Sequence, residues 1–216
     1  IESEVSIVGQ VGSCDPLDAG TFDIAVSPEP TIVATPQAST ICSGETTAID
    51  LSVNTGETII WEYTQGPFVS GANGDGHAVV INHTLTNSGT FADLVTYTLN
   101  VKNPNCPGQP TVVEVEVLPE VPSQALLGAQ ACDGEAIAGQ VFDSWEGLTW
   151  TWTNDNTDVG LGASGEGDLP SWTATNEGTT TQTATVVLTG QVASCPEAVV
   201  ATAQFDIHPV PQAEVQ

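Results

Sequence analysis

Positive charge is almost missing from this sequence. Its only basic residue is Lys102, set against 27 acidic ones, for a formal net charge of −26. A surface of that sign repels nucleic acid and anionic membranes, which excludes both as partners. Methionine is absent too, and no run of about 18 apolar residues could cross a bilayer as a helix, so no direct membrane insertion is expected. No long segment carries the 3.6-residue period of an amphipathic helix. Ile1 to Glu4 hold neither the basic nor the apolar region of a secretion signal. The expectation is a mature or excerpted piece of a longer secreted protein that opens in mid-repeat.

Catalytic signals are equally scarce. His77, His83 and His208 are scattered, and none lies in a Gly-x-Ser-x-Gly or His-Glu-x-x-His setting. Lone histidines of this kind read as surface or satisfied core residues. No carboxylate pair stands out from the others as a hydrolytic pair would. The expectation is a protein that is not an enzyme and has no cofactor, calcium apart. Asn82-His83-Thr84 forms a weak glycosylation sequon.

What the sequence does have is a period. Cys42-Ser-Gly-Glu45 is answered by Cys132-Asp-Gly-Glu135, Ile60-Trp-Glu-Tyr-Thr64 by Thr149-Trp-Thr-Trp-Thr153, and Asn105-Cys-Pro107 by Ser194-Cys-Pro196. Gly71-Ala-Asn-Gly-Asp-Gly76 returns as Gly162-Ala-Ser-Gly-Glu-Gly167. A repeat of about ninety residues follows, with Cys14 the closing cysteine of a further copy. Five cysteines at such separations point to an oxidising compartment. The spans from Cys42 to Cys106 and from Cys132 to Cys195 are nearly equal, which favours a disulfide within each copy and leaves Cys14 unpaired within this chain. Metal ligation is the poorer reading, because no cysteine has a second cysteine or a histidine at ligand spacing.

Short strands fill each copy. Ile49, Leu51 and Val53 alternate with polar residues, as do Ile59, Trp61 and Tyr63, then Val95, Tyr97, Leu99 and Val101, then Val113, Val115 and Val117. Strand after strand between Gly, Asn and Pro turns predicts an all-β fold of tandem antiparallel immunoglobulin-like sandwiches. Phe22, Ile24 and Val26 mark a strand that matches Phe205 and Ile207. The expected units are residues 1–29, the terminal hairpin of an upstream repeat; 30–119 and 120–211, two complete repeats; and 212–216, the start of a linker. Pro28, Pro30, Pro119, Pro122, Pro209 and Pro211 stiffen the junctions into a semi-rigid string.

The order of Cys-Ser-Gly-Glu, a Trp-bearing strand, Val95-Thr-Tyr-Thr-Leu99, Asn-Cys-Pro and the closing Val113-Glu-Val-Glu-Val117 resembles the PKD-like immunoglobulin-fold repeats of giant surface proteins in gliding bacteria that use type IX secretion. The resemblance spans nearly the whole chain and is best over residues 40 to 118. It implies an extracellular, cell-surface array serving as stalk or adhesin, without supplying a ligand.

Two kinds of site compete with plain packing. Trp61 and Trp150 occupy the place of a sandwich's central core tryptophan. Trp145, in an apolar-poor turn, and Trp172 are candidates to contact a ligand or partner, as a carbohydrate platform would. Asp75, Glu166 and Asp168 sit between glycines, where calcium could be held, but the Asp-x-Asp-x-Asp-Gly loop is missing and a Gly-rich hairpin turn accounts for the same residues. The functional expectation is a non-catalytic shaft segment of an adhesin or multimeric appendage, with neighbouring repeats and copies of itself as partners. A carbohydrate- or ligand-binding module that recognises cell-surface glycans is the alternative.

Overall fold

Alternation of apolar residues with Thr, Asn and Glu makes strands of most of the chain. The computed structural model describes residues 2–15, 17–73 and 79–210. A hairpin comes first, β1 (Glu2–Gly9) against β2 (Leu17–Ala25). Among the described residues, none of the hairpin's enters either of the two cores described below, and Phe22 and Ile24 remain about half exposed.

The first sandwich has β3 (Ile32–Thr35), β4 (Ala38–Cys42), β5 (Ile49–Val53), β6 (Ile59–Gln65), β7 (Val69–Ser70), β8 (Val80–Ile81), β9 (Thr86–Asn87), β10 (Asp93–Val101) and β11 (Thr111–Leu118). One sheet runs β4-β11-β10-β6 and the facing one β3-β5-β8, with β7 and β9 paired at the side. β4 runs parallel to β11, and every other pairing in this sandwich is antiparallel. The second has β12 (Ala129–Cys132), β13 (Ala136–Ile137), β14 (Leu148–Asn154), β15 (Ser164–Glu166), β16 (Trp172–Thr173), β17 (Gln182–Val192) and β18 (Ala198–His208). Its larger sheet runs β12-β18-β17-β14-β15, with β12 parallel to β18, and β13 pairs with β16 opposite. The fold is an immunoglobulin-like β-sandwich, formed twice.

Each sandwich closes around its own core. Val95, Tyr97, Leu99, Val113, Val115 and Val117 are fully buried in the first, where strict alternation on β10 and β11 sends every second side chain inward. The second is centred on Trp150, Trp152, Val186, Leu188 and Phe205. Burial of one such aliphatic side chain is worth roughly 1.5–3 kcal/mol, so neither core depends on a cystine.

Strand register corrects the alignment of the repeats. Trp61 stands opposite Leu99 and Ile59 opposite Val101, whereas Trp152 stands opposite Leu188 and Trp150 opposite Gly190. With Leu99 matched to Leu188, the counterpart of Trp61 is Trp152, not Trp150. Trp150 takes the place of Ile59, and its bulk is accommodated because Val101 has become Gly190. A Cβ on Gly190 would come within 2.6 Å of the Trp150 ring. Gly165 serves Trp152 in the same way, its missing Cβ falling 2.4 Å from that indole. Gly165, of the glycines in residues 162–167, therefore makes room for a ring.

The expected disulfides within each copy are also corrected, and strand polarity is the reason. Cys42 ends β4 beside Leu118, the last residue of β11, while Cys106 lies in the turn before Thr111, its first residue. A strand of eight residues separates them, roughly 25 Å at about 3.3 Å per residue. Cys132 and Cys195 likewise sit at opposite ends of β18. Cysteines whose Cα atoms are more than about 7 Å apart cannot be bridged without moving the backbone.

His83 is a satisfied core residue. Its Nδ1 lies 2.8 Å from the Tyr97 hydroxyl, and its backbone N–H donates to Thr47 Oγ1 at 2.9 Å. Burial lowers the His83 pKa, and burial followed by the neighbouring Tyr63 pushes that of Tyr97 up to about 12. The neutral imidazole is the folded form, so the unfolded chain takes up a proton first as pH falls below about 6.5. The stability advantage of the protein over a His83→Gln variant should therefore shrink between pH 7.5 and 5.5, as read by thermal unfolding of both. Separately, Gly165→Ala should cost about 1–3 kcal/mol in chemical denaturation by displacing the Trp152 ring.

Candidate functional site: the joint between the sandwiches

Cys42 is bonded to Cys195, across 153 residues of sequence and from one sandwich to the other, with Cα atoms 5.7 Å apart. The two sandwiches meet end to end at this point. Sandwich one offers the end where β4 and β11 finish, and sandwich two the end where the β17–β18 hairpin turns. Cys14, Cys106 and Cys132 carry free thiols.

The turn that holds Cys42 is built by its neighbours in sequence. Glu45 reaches back so that its carboxylate accepts the Cys42 N–H at 2.8 Å, while the Glu45 N–H donates to the Cys42 carbonyl at 3.0 Å. Gly44, at φ 87°, supplies the left-handed step and donates its N–H to the Leu85 carbonyl at 2.7 Å. Ser43 Oγ accepts the backbone N–H of Asn87 at 3.0 Å. Asn87 itself is completely buried. Its side-chain amide donates to the carbonyls of Phe91 and Val117 at 2.9 and 2.7 Å, and its Oδ1 accepts from Gly89. One plug thus fastens the cysteine turn to the end of β11.

The second sandwich repeats the device. Cys132 N–H donates to Glu135 at 2.7 Å, Gly134 lies at φ 82°, and Asp133 Oδ1 accepts from Asn176 N–H at 2.8 Å. Asn176 donates to Thr180 and Ile207 carbonyls and accepts from Gly178. Sequence reading found the Cys-x-Gly-Glu motif and missed this plug. The signal was there, in Thr86-Asn-Ser-Gly-Thr90 against Thr175-Asn-Glu-Gly-Thr179.

Two clefts flank the bridge. Cys42, Glu45, Glu120, Cys195 and Glu197 line a hollow of about 410 Å³. Three carboxylates around one covalent tie repel one another, and the tie opposes that repulsion. On the other side, a cleft of about 650 Å³ is lined by Asn87, Glu120, Val121, Asp143, Trp145 and Val199. The linker's start is tied to both sandwiches: Glu120 N–H donates to the Asn87 carbonyl of the first at 3.2 Å, and Val121 packs over Gly190 of the second.

The other expected site residues fall elsewhere. Trp145 is half-buried in the cleft between the sandwiches, so its indole faces the joint. Trp172 is corrected from candidate ligand contact to core residue: it is 9% exposed, edge-on to Phe205 with ring centroids 5.0 Å apart, because β16 pairs inward with β13. Asp75 lies outside the described residues. Asp168 Oδ1 accepts the Phe142 N–H at 3.0 Å, and among the described residues no group of three His, Cys, Asp or Glu side chains could hold a metal ion.

Residues 39–121 match the family model described as PKD-like domain. Most of the first sandwich thus matches a PKD-like domain, and its sheets have the immunoglobulin-like arrangement. Among solved structures, the chain is similar to that of DIP-gamma IG1+IG2, at 13% identity over 84% of this chain and 98% of that one, with a TM-score of 0.44. It is also similar to human mucin-like protocadherin EC1-2, at 12% identity over 84% and 99%, with a TM-score of 0.39. At these TM-scores the fold assignment rests on the sheets themselves and on the family match. No curated protein matches the sequence. No helix among the described residues is long and apolar enough to cross a membrane.

Asn87→Ala removes two donated bonds and one accepted bond from a dry site. It should lower the stability of the first sandwich by about 3 kcal/mol, and Asn176→Ala that of the second by as much, both measured by chemical denaturation.

Proposed function

We propose that this protein is a load-bearing shaft segment of an extracellular surface adhesin or multimeric appendage. The observation that carries the reading is the Cys42–Cys195 bridge, which joins the ends of two sandwiches instead of clamping either one. A bridge inside a domain strengthens that domain; a bridge between domains limits how they bend and separate. A persistent disulfide also fits an oxidising location outside the cell.

The resemblance over residues 40 to 118 supports placing such a segment on a gliding bacterium that exports its surface proteins by the type IX route. Neighbouring repeats and further copies of the chain are then its partners. The net charge of −26 discourages close lateral packing unless salt or cations intervene. A glycan-binding module is the less favoured reading, since its aromatic platform needed Trp172 at the surface and that ring is in the core.

Small-angle scattering tests the shaft. The oxidised protein should show one narrow, extended distance distribution that changes little between 20 mM and 500 mM salt. The Cys42→Ser/Cys195→Ser variant should keep its far-ultraviolet circular dichroism, since both cores are intact. Its distance distribution should broaden and become salt-sensitive, because only screening with a Debye length of about 8 Å or less now relieves the carboxylates at the joint. Identical profiles for the two proteins would overturn the reading.

A further inference from the structure

Two of the free cysteines sit in turns that duplicate the two halves of the existing bridge. Cys132 repeats Cys42: the same Glu cap three residues on, the same left-handed glycine, the same contact from the following side chain to a buried asparagine. It lies beside His208, where β12 and β18 finish, as Cys42 lies beside Leu118. Cys14 repeats Cys195. Gly9-Gln-Val-Gly-Ser-Cys14 matches Gly190-Gln-Val-Ala-Ser-Cys195 at all but one position. The resemblance extends to the backbone. Cys14 N–H donates to Val11 O at 3.2 Å and Cys195 N–H to Val192 O at 2.9 Å; the Gln10 amide donates to Cys14 O at 3.3 Å and the Gln191 amide to Cys195 O at 2.9 Å. Gly12 and Ala193 occupy the same left-handed step, at φ 59° and 47°, and Ala193 is the one non-glycine residue with positive φ among those described. Cys106 occupies the corresponding hairpin turn of the first sandwich, with its N–H held by Asn103 Oδ1 at 3.1 Å.

We propose that the Cys42–Cys195 bridge is one rung of a ladder, and that Cys132 is the exit half of the next rung. Its partner is the hairpin-turn cysteine of a following unit of the same kind. By the same rule Cys106 and Cys14 are entry halves, each taking the Cys-x-Gly-Glu cysteine of the unit before it. The geometry leaves little choice. Within one unit the two cysteines are a strand's length apart, while end-to-end stacking brings the exit turn of one unit against the entry turn of the next. Formation of a rung converts two thiols to a cystine and reduces one small disulfide oxidant, such as glutathione disulfide, to two thiols. The inference rests on the repeat organisation and not on the shaft reading, so scattering and disulfide mapping fail separately.

The test adds a unit to the intact chain. A copy of residues 120–210 is appended after Gln216, with Val192→Ile and, at the exposed Leu127, Leu127→Val in the copy alone, so that its turn peptide and its Cys-x-Gly-Glu peptide are each distinguishable by mass from the originals. The protein is refolded in a glutathione couple, free thiols are alkylated, and the unreduced protein is cleaved after glutamate, which places each cysteine half on a separate peptide. Two linked pairs are expected: Cys42 with the original Cys195, and Cys132 with the marked turn. The alkylation of Cys132 seen in the unextended protein should be lost, while the appended copy's own Cys-x-Gly-Glu cysteine remains alkylated. A second extension with residues 30–119 presents the turn in its Cys106 form and should give the same rung. Cys132 alkylated in both extended proteins, or linked to the cysteine of its own hairpin turn, would overturn the proposal.

Discussion

In these sandwiches the final strand runs the full length of the domain, and this fixes where every cysteine can reach. β11 and β18 each begin just after a hairpin-turn cysteine and end beside a Cys-x-Gly-Glu cysteine. An extended strand cannot bring its own ends together, so no rearrangement of side chains could join them. Since the chain leaves each unit at the end opposite the one it entered, consecutive units stack with unlike ends in contact. Strand polarity thus imposes both the linear arrangement and the pairing across the joint.

Around that constraint the rest of the joint is a rigid mount. A cysteine on a mobile loop would form its bridge at a high entropic cost and hold its neighbour loosely. Here the Cys42 turn is capped by Glu45, bonded through Gly44 to Leu85, and held by Ser43 to a fully buried asparagine that itself grips the end of β11. The linker is drawn into the same structure, because Glu120 bonds to that asparagine's carbonyl and Val121 packs over the glycine beneath Trp150. The acidic residues there work against this assembly. A covalent tie resists their repulsion whatever the ionic strength of the medium.

The strands were legible in the sequence because period-two alternation is a direct consequence of the pleat; Val95 to Val101 and Val113 to Val117 fall as the pattern says. The all-β class and the repeat were legible for the same reason. Residue matching failed where volume was exchanged across strands: Trp150 resembles Trp61 in sequence, yet register gives Trp61's place to Trp152, with Gly190 compensating for Trp150. Trp172 reads as a surface ring in the sequence because a two-residue strand carries no readable alternation. The cystine pairing was not legible from spacing at all. In a repeat, equal intervals between cysteines are produced by the period itself, and they fit pairing within units and between them equally well.

The pairing between units changes how such a protein responds to a pull along its axis. Force applied at the two ends follows the shortest covalent path, which passes from Cys42 directly to Cys195, residues 153 positions apart in sequence, and bypasses the chain between them. At about 3.4 Å per residue, roughly 500 Å of chain is withheld from extension even if both sandwiches were to open. A bridge inside one sandwich would shield only part of that domain and leave the linker to bear the load. Prolines can limit bending of the linker but cannot withhold chain when its neighbours unfold, whereas the inter-unit cystine limits both bending and extension. Thermodynamic stability and mechanical resistance are thereby separated: the first comes from apolar cores that need no cystine, the second from one bond placed where the units meet.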